Sequence, residues 1–136
     1  MNSQLVLGKS IVFDFPTQII NIGGPWVGTL VIDQKVIADS VLVDNLYPNP
    51  KTEKLYFIRY HDVSKWQKNN FFFVYFIEIE SGEMYMYDLK FEQIFIDNIS
   101  SDNEMTYFEA FHNKNEEQIR EINLNTVKCI HVKNVW

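Results

Sequence analysis

The chain has 136 residues, 46% of them apolar, with 11 Phe, 7 Tyr and 3 Trp, and a formal net charge of −6. That length fits one domain spanning 1–136, and that much aromatic surface offsets the ordering entropy that keeps polar chains disordered. The longest apolar block, Phe71 to Ile77, is seven residues, against the ~20 that a membrane-spanning helix needs.

Met1 to Ser10 carries one lysine and no long apolar run, so no secretory signal is visible. The lone cysteine, Cys129, has no internal partner for a disulfide. The expectation is a cytoplasmic protein without a membrane segment. Two alanines stand against fifteen isoleucines and thirteen asparagines, a choice of residues that disfavours long helices.

In chain order, Asn21-Ile22-Gly23-Gly24-Pro25 is the first turn signal. Trp26 to Ile32 then alternates, with Trp26, Gly28, Leu30 and Ile32 on one face and Val27, Thr29 and Val31 on the other. Asp33-Gln34 reads as a tight reversal before a strand over Lys35 to Ala38, and Ser40 to Asp44 reads as another. Tyr47 to Lys51 is a predicted loop, because Pro48 and Pro50 cannot donate to a ladder.

Lys54 to His61 is a predicted strand, with Leu55, Phe57, Arg59 and His61 on one side and Tyr56, Ile58 and Tyr60 on the other. Asp62 to Lys68 has the pattern of one helical turn, capped by Asp62, with Trp66 packing back. Phe71 to Glu80 and Glu83 to Leu89 flank Ser81-Gly82, a two-residue hairpin loop. That loop predicts Glu80 opposite Glu83, Glu78 opposite Tyr85 and Phe76 opposite Tyr87. Phe71 to Ile77 is too apolar for an open edge and is expected inside a sheet.

Phe91 to Asp97 and Glu104 to Phe111 are expected to continue the meander. Asn115 to Leu124 fits a helix opened by a capping box at Asn115 and Gln118, or a strand from the alternation of Arg120, Ile122 and Leu124. Both readings stand at this point, the strand preferred. Val127 to Val132 is the expected closing strand. The whole predicts an all-β fold of about ten short strands with at most one or two helical turns. An antiparallel meander of this kind forms a β-sandwich or a partly closed barrel.

Catalytic chemistry finds little support. His61, His112 and His131 have no second ligand at metal spacing, and Gly23-Gly24 has neither the lysine nor the helix of a phosphate loop. No serine sits in a nucleophile elbow, and Cys129 reads as a packed hydrophobe. No catalytic residue, metal or cofactor is expected. Charge is uneven: residues 78–117 hold eleven Asp and Glu against Lys90 and Lys114, a balance of −9, while the other ninety-six carry +3. Such an acidic half repels nucleic acid.

The hairpin pattern projects Glu78, Glu80, Glu83, Tyr85 and Tyr87 from one face, and a two-residue reversal at Leu89-Lys90 adds Glu92. Tyrosines among carboxylates suit a protein interface, with the rings as anchors and the acids steering a basic partner. Gly24-Pro25-Trp26-Val27-Gly28-Thr29-Leu30-Val31-Ile32-Asp33, followed by Leu55-Tyr56-Phe57-Ile58-Arg59-Tyr60-His61, resembles the small β proteins that accompany bacterial contact-dependent and secreted toxins as immunity proteins. The resemblance rests on strand texture. It implies a cytoplasmic protein that binds one cognate toxin and blocks it by occlusion. Two other readings stay open: a small β-barrel carrier of an apolar ligand, and a structural subunit of a phage or secretion assembly.

Overall fold

A computed structural model describes residues 4–18, 26–62, 70–110 and 118–136. The turn expected at Asn21 to Pro25 and the packing expected of Trp66 fall outside them. Asp62, the expected helix cap, ends a strand instead.

Twelve strands are formed by the described residues: β1 (Gln4–Val6), β2 (Lys9–Gln18), β3 (Trp26–Ile32), β4 (Lys35–Leu42), β5 (Tyr47–Asn49), β6 (Lys54–Asp62), β7 (Asn70–Glu78), β8 (Glu83–Tyr87), β9 (Gln93–Ile99), β10 (Glu104–Ala110), β11 (Gln118–Asn123) and β12 (Cys129–Asn134). One 3-10 turn, Leu124–Thr126, separates the last two. Among the described residues no helix is long and apolar enough to cross a membrane. The strands form two antiparallel sheets. The larger runs β1-β2-β3-β4-β6-β7-β8-β12, with β5 also on β6, and the smaller runs β11-β10-β9.

The alternation of β6 builds two cores at once. Tyr56 and Ile58 join Phe72, Val74, Phe76 and Tyr87 under the small sheet, which contributes Ile94, Ile96, Met105 and Tyr107. This is the sandwich. Leu55 and Phe57 point the other way and meet Ile11, Leu30, Ile32, Ile37 and Val41 from β2, β3 and β4. Register shifts in the β2–β3 and β3–β4 pairs mark bulges, which bend a sheet. The large sheet thereby curls over its own second core. Lys9 Nζ lies 4.7 Å from the ring centroid of Trp136, so the sheet's two ends approach. No strand pair closes the ring among the described residues; the sheets do not close into a barrel, and the architecture is a sandwich on a curled, open sheet.

β7 lies between β6 and β8, as its apolar run demands. Asp33-Gln34 is the expected tight reversal, both residues with positive φ, 47° and 69°, the backbone of a type I′ turn. Gln118 to Asn123 is a strand. Four further expectations are corrected. Tyr47 to Asn49 pairs with β6, Pro48 opposite Leu55; a short edge strand tolerates proline because its other side needs no donor. Lys35 to Leu42 is a single strand across Ser40, whose φ of 56° absorbs the irregularity.

The third correction concerns the hairpin. Its register is Phe76 opposite Tyr85 and Ile77 opposite Met84, two residues away from the expected pairing. The turn runs from Ile79 to Gly82 and is closed by the Gly82 N–H donating to the Glu78 carbonyl at 2.7 Å. Ile79 leaves the ladder because its N–H donates to the Glu53 carbonyl at 2.9 Å and its own carbonyl accepts from the Trp136 indole at 2.8 Å. Nor does the meander continue past β8, whose next neighbour is β12. Phe91 makes an isolated bridge to Phe72, and the chain crosses there into the small sheet.

Candidate functional site

The shift of two residues preserves side-chain parity, because strand faces alternate with period two. Glu78, Glu83, Tyr85 and Tyr87 therefore still share the face of Phe76. The small sheet covers only part of that face. Tyr87 lies in its shadow at 4% exposure, close enough to Tyr56 for their phenols to interact. Desolvation pushes the Tyr87 phenol strongly upward. It is a core residue, not a surface anchor.

Toward the turn the cover ends. Tyr85 is half-buried, stacked on Phe76 with ring centroids 4.9 Å apart and edge-on to His131 at 5.3 Å. Desolvation raises its phenol, with the charges of Glu78 and Glu83 adding to the effect. Both carboxylates lie in the next ladder row toward the turn, on the same side of the ring. Glu83 accepts from Asn134 Nδ2 at 2.7 Å and pairs with His131 Nε2; the amide, then the imidazole, hold its carboxyl below the usual range. Glu78 accepts from Ser81 Oγ at 3.3 Å. Glu80 is exposed on the turn.

Glu92 does not belong to this strip. Its charge acts on Glu109 of β10, which pairs with Arg120 of β11 at 3.1 Å. The crossover at Phe91 takes it into the small sheet, where a longer reversal than expected delivers it.

Sequence reasoning missed three members. Lys54 stands opposite Glu78 in the ladder, and its ammonium lies 4.8 Å from the Phe76 ring centroid. His131 and Asn134 arrive on β12. Only the partner of β8 reveals them, and no local pattern names it. Cys129, opposite Tyr87, is exposed, yet desolvation raises its thiol, Lys54 lowering and Glu78 raising it further. A raised thiol is a poor nucleophile near neutral pH. Among the described residues no three His, Cys, Asp or Glu gather as metal ligands. The strip presents a half-buried aromatic ring with carboxylates beside it on the turn side.

No known protein family, curated protein or solved structure matches this chain.

Proposed function

We propose that this chain is a non-catalytic, cytoplasmic protein-binding module of the immunity type, which blocks a basic bacterial toxin by occupying its surface. The observation that carries the reading is Tyr85, half-exposed at the uncovered end of the hairpin with the carboxylates of Glu78 and Glu83 beside it on the turn side. The ring supplies apolar area at low entropic cost, and the acids attract Lys and Arg. The excess of carboxylates over residues 78–117 and the strand texture shared with immunity proteins agree with it. Glu78, Glu80, Glu83 and Tyr85 are the contact residues; Tyr87 is excluded by burial and Glu92 by its place in the bend that leads into the small sheet, beside Glu109.

Affinity capture from the native cells tests it, with one dominant basic partner expected. The Glu78→Lys, Glu80→Lys double variant should slow association about tenfold at low salt and little at high salt, where screening shortens the reach of charge. Association rates that ignore both the substitutions and the salt would remove the steering role. Recovery of no partner under gentle conditions would remove the reading itself.

A further inference from the structure

The small sheet has a second face, and it is not polar throughout. Inward positions are filled by Ile94, Ile96, Met105 and Tyr107. Outward, the ladder places Phe95 opposite Phe108 and Phe108 opposite Ile119. These three form one apolar row across all three strands. Phe95 is 46% and Ile119 68% exposed, and the Phe95 and Phe108 rings lie 6.5 Å apart. The adjacent row holds Thr106, with Glu121 opposite it on β11. Across β9 the ladder slips between Thr106 and Tyr107, so exposed Asp97 and Asn98 both stand beside Thr106. Glu104 follows one row on, accepting from Asn123 Nδ2 at 2.6 Å.

No Lys or Arg lies among these outward positions in the described residues. Arg120, the nearest cation in sequence, turns to the other face and pairs with Glu109. Neither Asp97 nor Glu121 forms an ion pair with a described residue. An aliphatic and aromatic row is costly to leave in water, and this one is bordered by carboxylates with no cation beside them among the described residues.

We infer that the outward face of β9-β10-β11 is a second docking surface, centred on Phe95, Phe108 and Ile119, for a basic polypeptide segment that carries apolar side chains among its Lys and Arg. Charge selects this occupant. A second copy of the chain would bring Asp97, Glu104 and Glu121 against their own counterparts, and an anionic membrane would meet the same repulsion. Docking is onto the face and not along an edge. The free side of β9 is capped, since Asn45 bonds both backbone groups of Ile96 and Asn49 donates to the Ile99 carbonyl. On edge strand β11 the charge of Arg120 sits on the inward face, a common guard against strand addition. The surface lies on a different sheet from Tyr85, so it goes beyond the hairpin contact while resting on the protein-binding reading.

The test is an NMR titration of the full chain with an alternating arginine–leucine octapeptide, and in parallel with its glutamate–leucine counterpart. Two double variants accompany it, Phe95→Ser with Ile119→Ser and Asp97→Lys with Glu121→Lys; all four sites are exposed, and circular dichroism checks their folds. The expected result is that the arginine peptide shifts the amides of Phe95, Phe108, Ile119 and Glu121. The glutamate peptide should not, and each double variant should weaken binding about tenfold or more, the charge effect fading with salt. Equal response to both peptides, insensitivity to both variants, dimerisation on dilution series through this face, or binding to phosphatidylserine vesicles would overturn the inference. These variants leave Glu78, Glu80 and Tyr85 untouched. A cognate toxin that binds wild type and both variants alike would sink this surface and spare the proposed function; no protein partner at all would sink the reading.

Discussion

Asn45 is buried and polar, and its amide gives the edge of the small sheet the two hydrogen bonds a neighbouring strand would supply: Nδ2 donates to the Ile96 carbonyl at 3.1 Å and Oδ1 accepts from the Ile96 N–H at 2.7 Å. Asn45→Ala leaves both groups unpaired in the interior, which costs about 2–4 kcal/mol. The urea midpoint should fall accordingly with the slope unchanged. His61 is a second residue with a measurable signature. It shares a 2.6 Å hydrogen bond with the Tyr75 hydroxyl and packs on Phe73. Desolvation, then the charge of Arg59, lower its pKa, with Asp39 opposing. The unfolded chain thus takes up the proton first. The stability His61 contributes is complete above its unfolded value near 6.5 and is lost as pH falls below it. Unfolding at pH 7.5 and 5.0 should show a smaller loss in His61→Gln than in the native protein. An identical loss in both would exclude His61 as its source.

At the scale of the element, the turn from Ile79 to Gly82 is decided by residues far along the chain. Gly82 has φ +77°, and a Cβ there would lie 2.3 Å from Cδ1 and Cγ of Trp136. Gly82→Ala meets the left-handed penalty of about 1–2 kcal/mol and must also displace the indole. Indole fluorescence should shift to the red, and a Trp136→Phe background should abolish the shift while keeping part of the destabilisation. The same contact explains what the sequence concealed. Period-two alternation made β6, the central place of β7 and the company of Glu78, Glu83 and Tyr85 readable, because those need only neighbours in sequence. The register of the hairpin depends on Glu53 and Trp136. The burial of Tyr87 depends on a sheet that had not yet been placed over it. His131 and Lys54 entered the site only through ladder partners. β1 and β2 went unread, since the turn between them is signalled by little more than Gly8, with φ 78°.

For the whole molecule, the core under the small sheet leaves a particular vulnerability to base. Desolvation pushes the Tyr56 phenol up to about 12, and Tyr87 is raised as well. The unfolded chain therefore ionises first. Stability from these phenols is intact below about 10 and is lost as pH rises beyond that toward their folded values. Tyrosinate absorbance and circular dichroism should change together in an alkaline titration, because these rings ionise only when the sandwich opens. Absorbance that completes its rise while the dichroism stays native would contradict their burial.

The Asp88 N–H donates to the Lys128 carbonyl at 2.9 Å, and after its last contact with the large sheet, the Phe91–Phe72 bridge, the chain returns close to where it left. The described residues of 92–127 make the small sheet and the 3-10 turn between those two points. A lobe attached this way can change in length or surface chemistry by insertion or deletion while the scaffold's pairings stay as they are. The one inherited demand is a lid that keeps Tyr56, Ile58, Phe72 and Val74 dry.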